Sequence, residues 1–201
     1  MDKYDLIIKN GTVATAADTF RSDVAIKDGK IAGLGIDLAG APRVIDAAGL
    51  LVLPGGVDGH VHVSQISGFG IETADDFESG TRSAVCGGTT TIISFAVQEK
   101  GHSLMPAVEE HRRNAHGKAV TDYAVHMIVS DPTETVLREE LPELIRQGYT
   151  SFKIFLTYER RRLNDRQALE VLALARREGA LAMIHAENHD VIMWLAEQLE
   201  R

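Results

Sequence analysis

Asp58-Gly59-His60-Val61-His62 is the stretch with the clearest chemical potential. On an extended strand, residues i and i+2 project to the same face, so both imidazoles would enter one space together. Such a pair either binds a metal ion or divides into one hydrogen-bonded core histidine and one surface histidine. Its place at a strand end after Pro54-Gly55-Gly56 favours the metal. Lys153 stands in the middle of the apolar run Ser151-Phe152-Lys153-Ile154-Phe155-Leu156. A bare ammonium there carries a large desolvation cost. Lys153 could snorkel from a strand end or pair with a buried acid. Alternatively, a neutral amine adds carbon dioxide, and the resulting carbamate bridges two cations through its oxygens. His185 closes a third apolar run and His189 follows four residues later, but Glu187 is misplaced for a His-Glu-x-x-His base. His189 is expected in a solvated loop.

The elements that must hold these residues are legible from turn chemistry and apolar runs. Before residue 54 the chain reads as short strands. Asn10-Gly11 predicts a hairpin of 6–9 with 12–14, and Asp28-Gly29 one of 24–27 with 30–32, because both dipeptides accept the positive φ of a type I′ turn. A third pair, 44–46 with 50–53, is expected around Ala47-Ala48-Gly49. Pro54-Gly55-Gly56 marks a boundary, dividing 1–53 from 54–201. Beyond it strands alternate with helices: strands at 57–63, 89–97, 123–129, 150–156 and 181–186. Helices are expected from a Thr73 cap to Gly87, over 103–117, from Asp131-Pro132 to Gly148 and over 164–178, with a last one carrying Val191, Ile192, Trp194, Leu195 and Leu199. Five β-then-α units build a parallel sheet, either an open doubly wound one or part of a (β/α)8 barrel. Only the barrel explains why His60, His62, Lys153 and His185 fall at the carboxyl ends of the first, fourth and fifth strands, where barrel enzymes place their sites.

Composition narrows the function classes. Twenty-one Lys+Arg against 29 Asp+Glu leave a formal charge of −8, which argues against a nucleic-acid or anionic-membrane partner. The single cysteine, Cys86, excludes a disulfide framework and fits a reducing, cytoplasmic setting; it is expected to pack near a helix end. Met1-Asp2-Lys3-Tyr4-Asp5 has no basic start followed by an apolar run, so no signal peptide is expected. His102, His111 and His116 lie in a polar helical stretch and are expected at the surface. His126, in an apolar strand, reads as a hydrogen-bonded core residue. Gly33-Leu34-Gly35 is followed by Leu38 where a dinucleotide fingerprint needs glycine. Arg160-Arg161-Arg162, beside Glu159 and Asp165, reads as a solvated loop or subunit contact rather than a nucleic-acid patch.

Taken in order, five stretches resemble the dihydropyrimidinase/hydantoinase family of cyclic amidohydrolases. They are Ile7-Ile8-Lys9-Asn10-Gly11, the run Pro54 through His62, Cys86-Gly87-Gly88-Thr89-Thr90-Thr91-Ile92-Ile93, Ser151-Phe152-Lys153-Ile154-Phe155, and His185-Ala186-Glu187-Asn188. The resemblance implies a (β/α)8 TIM barrel, with about five of eight units present in 54–201. It also implies that 1–53 is the N-terminal part of a small β-sandwich. It further implies two zinc ions, His60 and His62 on one, His185 on the other, and carboxylated Lys153 bridging. A metal-bridging hydroxide would open a ring amide. Tyr158, which by spacing alone reads as a loop tyrosine, matches the family's oxyanion-stabilising tyrosine.

The implied substrate is a small cyclic ureide, a hydantoin or dihydropyrimidine, opened to an N-carbamoyl amino acid. Ser64 stands where dihydroorotases carry an arginine for the substrate carboxylate. An allantoinase-like enzyme and a non-catalytic dihydropyrimidinase-related scaffold are the alternatives. The resemblance also implies a homo-oligomer, dimer or tetramer, at full length. A further histidine from the sixth strand and an aspartate from the eighth are not among these residues. The 201-residue chain alone is therefore expected to be an inactive, aggregation-prone fragment.

Overall fold

The computed structural model describes residues 3–66 and 70–201; Met1-Asp2, part of the stretch read for a signal segment, lies outside them. Two compact units result, Met1–Gly55 and Gly56–Arg201.

Among the described residues the first unit contains seven strands: β1 (Leu6–Lys9), β2 (Thr12–Ala14), β3 (Thr19–Arg21), β4 (Asp23–Lys27), β5 (Lys30–Gly35), β6 (Arg43–Asp46) and β7 (Leu51–Val52). They form two sheets, ordered β5-β4-β1-β6 and β3-β2-β7. The β4–β5 hairpin forms as expected, with Lys27 opposite Lys30 and positive φ at both Asp28 and Gly29. The other two expected pairs do not. β1 pairs with β4 and, in parallel, with β6, whereas β2 pairs with β3 and β7. The reason lies at Asn10. It alone of Asn10-Gly11 takes positive φ, and its backbone N–H and side-chain amide donate to Asp23 and Asp46 at 2.8 and 2.9 Å. The chain thus steps between sheets instead of doubling back. Gly11 is needed there because a Cβ would stand 2.5 Å from Val52 Cγ2. β6 and β7 separate in the same way across Gly49, the Ala47 N–H reaching the Lys9 carbonyl instead.

The second unit carries β8 (Gly56–Asp58), α1 (Phe77–Cys86), β9 (Thr89–Val97), α2 (Leu104–Ala115), β10 (Asp122–Ile128), a π-helical segment (Val136–Glu140), α3 (Leu141–Arg146), β11 (Ser151–Phe155), α4 (Asp165–Glu178), β12 (Leu181–His185) and α5 (His189–Leu199). Its five strands are all parallel and stand in chain order, β12-β11-β10-β9-β8. A doubly wound sheet reverses its order at a switch point; none occurs among these strands, so the sheet fits part of a TIM barrel. Alternation sorts the faces. Phe152, Ile154, Met127 and Ala96 join Leu104, Val108, Val171 and Leu174 in the main core. Lys153 points the other way, paired in register with Ile128 and Met183, beside the small cluster of Phe95, Ile128 and Phe155.

Several boundaries differ from expectation. β8 ends at Asp58, so His60 and His62 lie beyond the strand rather than on it. The Asp58 carboxylate accepts the His60 N–H at 3.0 Å and takes it out of the ladder, although the Val61 N–H still reaches the Ile93 carbonyl of β9 at 3.2 Å. α1 is capped by Asp76 with Ser79 in a reciprocal box, not by Thr73, whose hydroxyl is occupied by Gln65 N and Asp75 O. The helix predicted from Asp131-Pro132 starts later, because Asp131 accepts from Gly101 N. It widens into a π turn, the Leu141 N–H bonding to the Val136 carbonyl. Pro142 follows at once, and its ring would collide with the carbonyl four residues back in a regular α-turn. No helix among the described residues is long and apolar enough to cross a membrane.

Candidate functional site

The carboxyl edge of the parallel sheet gathers the polar exceptions. His60 and His62 sit in the segment after β8 with ring centroids 5.4 Å apart, and each packs 4.7 Å from the ring of Phe95. His62 Nδ1 lies 2.7 Å from Gln65 Oε1, an acceptor, which favours the tautomer with Nδ1–H donating and Nε2 bearing the lone pair. Gln65 Nε2 in turn donates to the Phe95 carbonyl. A hydrogen-bonded chain from the β9 backbone thereby orients the second imidazole.

Lys153, 8% exposed, places Nζ 3.3 Å from His60 Nε2 and about 5 Å from the ring centroids of Phe95 and Phe155. Among the described residues no carboxylate forms an ion pair with it. Burial pushes its pKa down, and the Arg161 charge adds to that. Burial likewise lowers His60, reinforced by the charges of Lys153, His62 and His126. Every influence here except Asp58 disfavours a protonated imidazole at His60. Neutral nitrogen donors are what a metal cation needs.

His185 ends β12 with its ring stacked on Phe155 (5.6 Å, 21°) and Nε2 3.0 Å from Glu187 Oε2. Tyr158 lies 5.1 Å from that imidazole, about half exposed, in the left-handed region at φ 68°. The structure therefore gathers His60, His62 and Lys153 around Phe95, and His185 and Tyr158 around Phe155. Lys153, over both rings, joins the two groups. Among the described residues, no three His, Cys, Asp or Glu side chains converge as a ready metal cage. The donor set nevertheless suits a divalent metal: three imidazoles and a buried amine without a carboxylate partner among the described residues stand along one edge.

Other histidines test the sequence reading. His126 is a hydrogen-bonded interior residue, as expected, with Nδ1 2.6 Å from Ser151 Oγ and Nε2 donating to the Gly59 carbonyl at 3.0 Å. His102 and His116 are exposed. His111 is not: it is buried, 2.7 Å from Ser94 Oγ, and burial pushes its pKa down to about 4. Its spacing from Leu104, Val108 and Ala115 put it on the core stripe of α2, a periodic signal overridden by the polar neighbours. His189 is also buried rather than solvated, in the first turn of α5, because Asn188 caps the helix through Val191 N. Cys86 ends α1 but is exposed rather than packed. Gln65 and His189 were missed as parts of the site. Gln65 carries no motif, while Asn188-His189-Asp190 held a readable cap pattern.

Comparison with known proteins supplies the remaining context. The model of the amidohydrolase family matches residues 51–200. The chain is 47% identical over 195 residues to a D-hydantoinase of Ralstonia pickettii, covering 96% of this chain and 42% of that protein. It is 39% identical over 195 residues to the dihydropyrimidinase of Rattus norvegicus, covering 93% and 37% respectively. The crystal structure of a dihydropyrimidinase from Brevibacillus agri superposes with a TM-score of 0.91 at 43% identity, over 96% of this chain and 42% of that one. The chain thus spans about two fifths of the length of the relatives it matches.

Proposed function

Because this chain belongs to the amidohydrolase family, we propose that its residues serve the metal-dependent opening of a cyclic ureide, a hydantoin or dihydropyrimidine, to an N-carbamoyl amino acid. The relatives named D-hydantoinase and dihydropyrimidinase support that substrate class. The activity is proposed for these residues within a polypeptide of the relatives' length. Residues 54–201 form the barrel part and 1–53 a portion of a small β-sandwich, in a cytoplasmic dimer or tetramer.

In this reading His60, His62, His185 and a carboxylated Lys153 would together hold a pair of zinc ions. When bound, the pair supplies Lewis acidity that makes water nucleophilic at neutral pH and polarises a ring carbonyl. The protein's own part is positional. Gln65 keeps the His62 proton on Nδ1, Phe95 and Phe155 exclude water from around Lys153, and Tyr158 donates its phenolic O–H to the oxygen that gains charge at the attacked carbonyl.

The single observation that carries the proposal is Lys153. A lysine amine is buried at the carboxyl edge of a parallel sheet, 3.3 Å from an imidazole nitrogen, with no carboxylate paired to it among the described residues. Carboxylation converts that costly placement into a ligand.

The test is chemical. Protein prepared with 13C-bicarbonate and zinc is expected to give a carbamate carbon resonance that disappears in Lys153→Ala, together with bound zinc by elemental analysis. A folded protein with neither zinc nor carbamate overturns the proposal and favours a non-catalytic scaffold.

A further inference from the structure

The loop that carries Tyr158 is fastened from both sides by groups that the proposed chemistry does not use. His189 is 8% exposed at the start of α5. Its Nε2 stands 2.6 Å from Glu159 Oε1, and its Nδ1 stands 3.2 Å from Thr157 Oγ1. One imidazole thus grips the residues immediately before and after Tyr158. On the far side, Lys100 Nζ donates to the carbonyls of Glu159 and Arg162 at 3.1 and 3.3 Å. Arg162 adds ion pairs to Glu159 (3.6 Å) and Asp190 (3.9 Å).

This bracing has something to hold. Tyr158 adopts φ 68°, a conformation that an aromatic residue with a Cβ enters only at a cost. Its carbonyl accepts both the Arg161 and Arg162 N–H groups at 2.8 Å, which closes a tight turn. The strained turn aims the phenol to within 5.1 Å of His185, whereas an extended residue here would carry it elsewhere. Strain of this kind persists only where the surroundings over-determine it. Thr157, Glu159, His189 and Lys100 are those surroundings.

We infer that His189 is a positioning residue: through Thr157 and Glu159 it locks the left-handed turn that presents Tyr158 to the metal edge. The inference rests on the proposed role of Tyr158 for its functional meaning, but not for its structural content. Removing the imidazole releases both flanks of the turn and lets Tyr158 relax toward negative φ, leaving β11 and β12 untouched.

The experiment uses the 201-residue chain with 3-fluorotyrosine, its four tyrosines assigned by Tyr158→Phe and the corresponding single substitutions. In the parent protein the Tyr158 19F resonance is expected to be single and shifted from that of the free amino acid. In His189→Ala it should move toward the free position or split, while the other three stay put and the Trp194 emission of α5 is unchanged. Tryptic cleavage within Arg160–Arg162 should rise at least about fivefold, and His189→Gln, whose amide can still donate to Glu159, should recover part of the protection. Should His189→Ala fail to fold, Glu159→Ala, altered at an exposed side chain, must give the same loosening. An unmoved Tyr158 resonance with unchanged cleavage, in either folded variant, overturns the inference. A Tyr158→Phe substitution that leaves ureide hydrolysis intact within a polypeptide of the relatives' length would instead sink the catalytic role of Tyr158 and leave the bracing by His189 standing.

Discussion

Two side chains turn local geometry into chemistry at the scale of single residues. Gln65 holds the His62 ring by a 2.7 Å contact and is itself tied to the β9 backbone. Replacing it with leucine frees the ring to rotate and to exchange tautomers. Gln65→Leu should weaken zinc binding by about 10–100-fold, measured by competition with a chromogenic chelator, with no change in the far-UV circular dichroism. His111 makes a prediction about pH. Its folded pKa of about 4 lies below the 6.5 of an unfolded histidine. Between those values the unfolded chain binds a proton that the native one refuses. Its contribution is therefore complete above pH 6.5 and is lost as the pH falls toward 4, a change of about 3 kcal/mol. In His111→Gln, urea midpoints at pH 7.5 and 4.5 should lie closer together than in the parent; equal spacing would refute the assignment. Residue type and spacing alone singled out His60, His62, Lys153 and His185 as the polar exceptions at one edge of the sheet, while their joint role as ligands came from the family resemblance and stays a proposal. Gln65 was not, since a glutamine three residues after a histidine is too common a pattern to carry meaning.

Caps and close approaches decide how the elements deliver these groups. α4 is closed at both ends, by the reciprocal Asn164–Gln167 box and by Gly179 in the left-handed conformation. The sequence announced both ends, because caps are local chemistry. Asn164→Ala should cost about 1 kcal/mol by urea denaturation and Asn164→Asp almost nothing. α1 touches the site less directly. A Cβ on Gly80 would meet Val63 Cγ1 at 2.8 Å, and Val63 follows the His60–His62 segment. Gly80→Ala should push that segment outward, costing about 1–3 kcal/mol and weakening zinc binding, while a stability loss with full zinc affinity would show the segment to be independent of α1. What sequence reading missed at this scale were contests between neighbours. Thr73 and Asp131 are sound caps in isolation, yet Asp75, Gln65 and Gly101 claim their oxygens.

At the scale of the molecule, surface left uncovered in this chain is the dominant feature. β8 and β12 are the outer strands of the five-stranded sheet. Leu181 and Ile184 lie exposed on β12, as do Trp194 and Leu199 on α5. Unpaired strand edges flanked by apolar side chains invite association. The apparent mass of the chain by light scattering should therefore rise with concentration and fall back in Leu181→Lys; a mass constant across the range would contradict this. The course of the strands in space also shows where sequence reading stopped. Asn10-Gly11 and Asp28-Gly29 look alike as dipeptides, yet one turns a hairpin and the other carries the chain into a second sheet. The difference is made by Asp23 and Asp46, which bind Asn10 from 13 and 36 residues away. Sequence by itself determined the parallel βα succession, the β4–β5 hairpin and the edge toward which His60, His62, Lys153 and His185 fall, because periodicity, turn chemistry and side-chain type act over a few neighbours. Only the tertiary structure decided how the remaining strands of the first unit pair, that β8 stops before its histidines, and that His111 and His189 are buried, because those outcomes depend on partners distant in the chain and on how tightly they pack.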